Sequence, residues 1–180
     1  MEGWQRGDWL DSTGILWVNP SPNMRSLTEA ILYPGLGILE ATNVSLGRGT
    51  DTPFELLGAP WIQSRELAAY LNARAISGVR FVPTEFTPSA SVYAQQKCGG
   101  VNIIVTDRNS VDAPELGIEI ASALHSLYPQ QFEMKNLDNL MLNKATRDAI
   151  TAGQDPRRVG LDWVEAIELF KPIRARYLLY

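Results

Sequence analysis

The chain has 180 residues, 45% of them hydrophobic, which is enough to bury one sizeable core and points to one domain rather than two. Its 16 basic and 20 acidic residues leave a formal charge of -4 and are scattered without a basic block, so nucleic acid is an unexpected partner. One cysteine and one histidine rule out an intrachain disulfide and a thiolate-rich metal site, and no apolar run nears the roughly 18 residues of a membrane span.

The segment from Met1 to Trp9 lacks the apolar stretch of a signal peptide, so no address is visible and localisation is left unassigned by the residues themselves. Trp4, Trp9 and Trp17 precede Asn19-Pro-Ser-Pro-Asn23, an aromatic-rich segment in which two prolines deny helix and central-strand geometry. The tryptophans are expected to pack into the core or cover its edge. Leu27, Ala30 and Ile31 predict a short helix capped by Ser26 and stopped by Pro34-Gly35. Gly35-Leu-Gly-Ile-Leu39 predicts a short buried strand, with Glu40 at its carboxyl end, where open α/β sheets place ligand groups. Phe54 to Ile62 reads as irregular, because Gly58 and Pro60 interrupt it.

Ser64 to Arg74 predicts a helix with Ser64 as its cap, and 78–87 a strand that Pro83 confines to an edge or a bulge. Val101 to Thr106 is the clearest strand, and Ala113 to Leu127 an amphipathic helix ended by Pro129. Thr146 to Ala152 and Gly160 to Phe170 are two further helices. The alternation predicts an α/β or α+β fold: a mixed sheet with packed helices in a single layered domain.

The chemistry concentrates in Glu40-Ala-Thr-Asn-Val-Ser-Leu-Gly-Arg-Gly-Thr-Asp-Thr-Pro-Phe-Glu55. Gly47 and Gly49 free the backbone around Arg48 for left-handed turns that bring amide N–H groups toward a bound oxygen. Glu40 is either a surface carboxylate or a cleft group. Arg48 either pins the loop, through carbonyls or Asp51, or grips a ligand carboxylate with its planar fork. Asn43, Ser45 and Thr50 cap turns or supply the neutral donors and acceptors that sugar hydroxyl and amide groups require. Asn23, beside the Pro20-Ser-Pro22 turn, is a local cap or a ligand contact. Cys98 and His125 read as packing residues. No metal and no organic cofactor is implied.

In order along the chain, Met1-Glu-Gly-Trp4, Trp17-Val-Asn-Pro-Ser-Pro-Asn23, Tyr33-Pro-Gly, the Glu40–Thr50 segment, Pro53-Phe54, Gly58-Ala-Pro-Trp61 and Tyr177-Leu-Leu-Tyr180 resemble the C-terminal part of the NamZ-type exo-β-N-acetylmuramidases. The match runs essentially from end to end. The resemblance implies a glycoside hydrolase that releases N-acetylmuramic acid from the non-reducing end of peptidoglycan fragments, in the cell envelope, the periplasm or outside the cell. It implies that residues 1–180 are the C-terminal domain of such a protein, with the family's N-terminal Rossmann-like half absent. That half carries a Glu-His-Gly motif, which does not occur here. It also implies that Glu40, Thr42, Asn43, Ser45, Arg48 and Thr50 line the cleft between the halves, with Arg48 meeting the lactyl carboxylate. Glycosidases usually need two carboxyl groups, about 5–5.5 Å apart for retention or about 6.5–9.5 Å for inversion. Glu40 is the expected catalytic member here, Glu55 and Asp51 are spare acids, and a partner half would bring the second. The isolated chain is thus expected to be incomplete for catalysis. The competing expectation is a non-catalytic module that binds a muramyl sugar or docks a partner.

Overall fold

A computed structural model describes residues 3–134 and 136–179; Met1, Glu2 and Tyr180, at the two ends of the resemblance, lie outside the described residues. Helix α1 (Leu27–Leu36) starts at Ser26, whose hydroxyl accepts from Glu29 N. Strand β1 (Leu56–Ala59), helix α2 (Ser64–Ala73) and strands β2 (Val79–Phe86) and β3 (Cys98–Val105) follow. The long helix α3 (Ala113–Leu127) precedes the shorter α4 (Asp138–Met141), α5 (Lys144–Thr151) and α6 (Pro156–Leu161), and α7 (Val164–Ala175) ends the chain. No helix among the described residues is long and apolar enough to cross a membrane.

The three strands form one antiparallel sheet in the order β1-β3-β2, so the fold is an α/β mixture and its sheet is antiparallel throughout. Pro83 sits on the edge strand β2 opposite Val101, where its missing N–H costs no central pairing. Alternation sorts the two faces of the sheet. Leu57, Ala59, Val101, Ile103, Val79 and Phe81 are buried in the core, while Val82 and Ile104 are exposed.

α3 is the central post. From Leu116 to Leu124 every residue is buried, including Glu119 and Ser122. A helix that is almost wholly interior must meet its neighbours closely, and two glycines allow this. A Cβ on Gly35 would lie 1.8 Å from the Ala113 carbonyl oxygen, and one on Gly117 would lie 2.4 Å from the Gly35 carbonyl oxygen. α1 and α3 therefore cross backbone to backbone.

That contact explains the first departure from the sequence reading. α1 does not stop at Pro34; it continues to Leu36 and passes into a 3₁₀ turn, Gly37–Ala41, in place of the expected strand. The short apolar run fits either period, and close packing of Gly35 on α3 selects the helical one. The second departure is β1, in a stretch that reads as irregular. Gly58 is required there because a Cβ would come within 2.6 Å of the Gly99 carbonyl oxygen and 2.7 Å of the Phe86 ring. Smaller differences lie elsewhere. Gln63, not Ser64, precedes α2, and the Ser64 hydroxyl instead donates to Thr84 O (2.6 Å) and accepts from Gly100 N (2.9 Å), stitching the helix to the sheet. The run Gly160 to Phe170 is divided between α6 and α7.

Candidate functional site

Glu40 lies in the 3₁₀ turn that extends α1, not at the end of a strand, so its position is fixed by the α1–α3 crossing. From there the chain runs buried through Val44 and Leu46 and pairs with β1, Ser45 and Gly58 exchanging backbone hydrogen bonds of 2.8 and 2.9 Å. It then turns through Gly47 and Gly49, both left-handed at φ 72° and 82° as the glycine spacing predicts. Thr50 N closes the turn on Gly47 O at 3.0 Å. The loop's far side is fastened to the segment after β2. Ser89 donates to Gly49 O through its amide (2.9 Å) and its hydroxyl (2.7 Å), and a Cβ on Gly49 would meet Ala90 N at 2.4 Å.

This frame brings Arg48 back onto Glu40. Arg48 Nε donates to Glu40 Oε1 at 2.5 Å, Nη2 contacts the same oxygen, and the guanidinium carbon lies 5.1 Å from the centre of the Phe54 ring. Phe54 is fully buried and held edge-on by Tyr33, with ring centres 4.9 Å apart. A cation over a ring is held by the ring's negative face, so the pair is pinned from below. Both side chains remain reachable, with 25% of Glu40 and 31% of Arg48 exposed.

The neutral residues of the segment are differently placed. The Thr42 hydroxyl is buried and donates to Leu39 O (2.7 Å). Asn43 bridges to the loop after α3: its amide donates to Gln131 O and its oxygen accepts from Glu133 N, both at 2.8 Å, while its carbonyl accepts from the Tyr93 hydroxyl at 3.0 Å. Ser45 is buried and its hydroxyl accepts from Gly47 N at 3.4 Å. The Thr50 hydroxyl donates to Gly47 O (2.6 Å). These four side chains shape the loop from inside. Asn23 is half-buried in the Ser21–Met24 turn, its backbone N–H donating to the Ser21 hydroxyl at 3.3 Å.

The two spare acids differ from each other. Asp51 is fully exposed and stands 3.8 Å from Arg25. Glu55 accepts from the Ser26 hydroxyl at 3.4 Å beside Glu29, which is buried and takes a hydrogen bond from Arg25 N. Partial burial pushes the Glu55 carboxyl above its ordinary range, the charge of Glu29 adds to the rise, and the Ser26 hydrogen bond opposes it. Glu29 follows Ser26 by three residues, the spacing of a capping box, so its role at the start of α1 is structural. Sequence reading passed over Glu29, Tyr33 and Phe54. Pro53-Phe54 was visible as a motif, and the Ser-x-x-Glu spacing was a usable signal.

Other features lie apart from this loop. Cys98 is buried, and burial pushes its thiol up, as befits a packing residue. His125 Nε2 is 3.3 Å from Thr151 O. Trp9 covers an edge rather than entering the core, its indole donating to Asn109 at 2.8 Å under the Arg108 guanidinium. An open cleft of about 850 Å³ lies at the start of α2, lined by Gln63, Arg65, Glu85 and Lys97 among others, with neither Glu40 nor Arg48 in its wall.

Residues 31–180 match the family model described as exo-beta-N-acetylmuramidase NamZ, C-terminal. The chain is 37% identical to the peptidoglycan beta-N-acetylmuramidase NamZ of Bacillus subtilis (strain 168) over 183 aligned positions, covering all of this chain and 44% of that protein. Two crystal structures of DUF1343 family proteins from Bacteroides fragilis NCTC 9343 share the fold. One has a TM-score of 0.75 at 26% identity, covering 99% of this chain and 49% of its own; the other has 0.67 at 26%, covering 89% and 43%. The chain spans about half the length of the relatives it matches. It belongs to the NamZ C-terminal family.

Proposed function

We propose that this domain supplies one wall of the active site of a glycoside hydrolase that releases terminal N-acetylmuramic acid from peptidoglycan fragments. Membership of the NamZ C-terminal family is the observation that carries the reading. Glu40 is the catalytic carboxyl of this wall. Arg48 holds it through Nε and Nη2, and its remaining N–H edge meets the lactyl carboxylate of the sugar. Thr42, Asn43, Ser45 and Thr50 serve binding by fixing the loop from within, and Asn23 presents its turn beside α1. Hydrolysis needs a second carboxyl group, and a separate N-terminal half of the family provides it across the cleft.

The reading is supported by the economy of the Glu40–Arg48 pair. It is exposed enough to reach and is braced over the buried Phe54 ring. The test is release of N-acetylmuramic acid from a β-linked peptidoglycan fragment. The 180-residue chain is assayed alone and with the N-terminal half of the Bacillus subtilis relative, and each assay is repeated with Glu40→Gln. Turnover in the mixture that disappears with Glu40→Gln is expected. Turnover by the chain alone would put both carboxyls here. Sugar binding without turnover in any mixture would replace hydrolysis by a binding role.

A further inference from the structure

The C-terminal helix has no place in the site or in the core. None of the residues of α7 is buried, and Ala166, Leu169, Phe170, Ile173 and Tyr177, just beyond its end, are all exposed. Their spacing of three, one, three and four puts them on one stripe of a 3.6-residue helix, continuous over about three turns. Pro172 stands outside the stripe and removes no surface from it. A helix of this length is marginal in water unless an apolar partner covers its face.

The charges beside the stripe identify the partner. Glu165, in the first turn, and Arg176, at the end, flank the same side of the apolar face at opposite ends. Turning a second copy end for end across a two-fold axis lays Glu165 of each helix against Arg176 of the other, while Phe170 and Ile173 meet at the centre. The face is therefore self-complementary, the requirement of an isologous contact. We infer that α7 is an antiparallel dimerisation helix, and that its occupant is α7 of a second copy of this chain.

Light scattering and sedimentation of the 180-residue chain from low micromolar to about 100 µM test the inference. A concentration-dependent dimer is expected. Leu169→Glu with Phe170→Glu should give a monomer, and an unchanged melting temperature shows that the fold survives, since these side chains reach no core. Glu165→Arg and Arg176→Glu singly should each weaken the dimer about tenfold, as two pairs are lost and like charges opposed. Together in one chain they should restore it. A monomer at every concentration overturns the inference, as does a dimer indifferent to the α7 substitutions. Single substitutions that weaken the dimer without recovery in the double variant overturn the antiparallel register.

Discussion

Two arginine–glutamate pairs in this molecule use the same groups in different surroundings. Glu119 sits in the middle of α3 with 1% of its side chain exposed, and Arg74 grips both its oxygens at 2.8 Å while reaching Asp155 at 2.7 Å. Those carboxylates raise the Arg74 guanidinium further, Glu119 contributing most. Glu40 and Arg48 are a quarter to a third exposed and meet through one carboxylate oxygen. Removing Arg74 would strand the Glu119 charge away from water, whereas both members of the Glu40–Arg48 pair keep contact with it, and a pair in reach of water contributes less to stability. The first is explained by folding alone. The second is braced by Phe54, Tyr33 and two left-handed glycines, and the proposed function gives that bracing a reason.

The largest expected effect lies on the buried side. Arg74→Ala leaves Glu119 facing only the more distant Arg157, 3.9 Å away, and should cost about 3–5 kcal/mol in denaturant unfolding. A loss under about 1 kcal/mol would erase the distinction between the pairs. Next comes the frame of the accessible pair. Gly49→Ala forces a Cβ against Ala90 N from a left-handed backbone, and about 1–3 kcal/mol should be lost together with any activity the loop supports. Glu40→Gln should shift stability by less than about 1 kcal/mol while abolishing turnover in the assembled enzyme. A large drop in melting temperature would make Glu40 a structural residue like Glu119.

The smallest effect concerns Glu55. Its carboxyl titrates above the ordinary value of 4.5 in the folded state, so the native protein holds that proton more tightly than the unfolded chain. The stabilisation is full below pH 4.5 and is lost as pH rises through the raised value. Glu55→Gln should therefore melt slightly higher than the parent near neutral pH, with the advantage closing as pH falls through the raised value toward 4.5. An advantage that stayed constant with pH would mean that Glu29 and burial do not act on this carboxyl.

Legibility in the sequence followed the range of the forces involved. α3, β3 and the edge placement of Pro83 were readable because their patterns are local and long enough to be distinctive. The 3₁₀ turn at Glu40 and strand β1 were not, because Gly35 and Gly58 serve contacts with Ala113 and Gly99, far along the chain, and look like loop formers in isolation. For the same reason the polar segment could be located but not resolved. Thr42, Asn43, Ser45 and Thr50 have the composition of a sugar site, and only the fold shows their side chains turned to brace the loop. The Glu40–Arg48 contact spans eight residues and depends on two glycine φ angles, which the glycine spacing did announce.

The central claim is that the accessible pair works in catalysis while the buried one works in folding. Release of N-acetylmuramic acid should be followed in the mixture of this chain with an N-terminal half, comparing the parent, Glu40→Gln and Arg48→Lys, with melting temperatures recorded on the same samples. The account predicts near-parental melting for both variants, no turnover for Glu40→Gln, and a raised KM for Arg48→Lys, which loses the planar fork. Parental turnover by Glu40→Gln in an active mixture would contradict it.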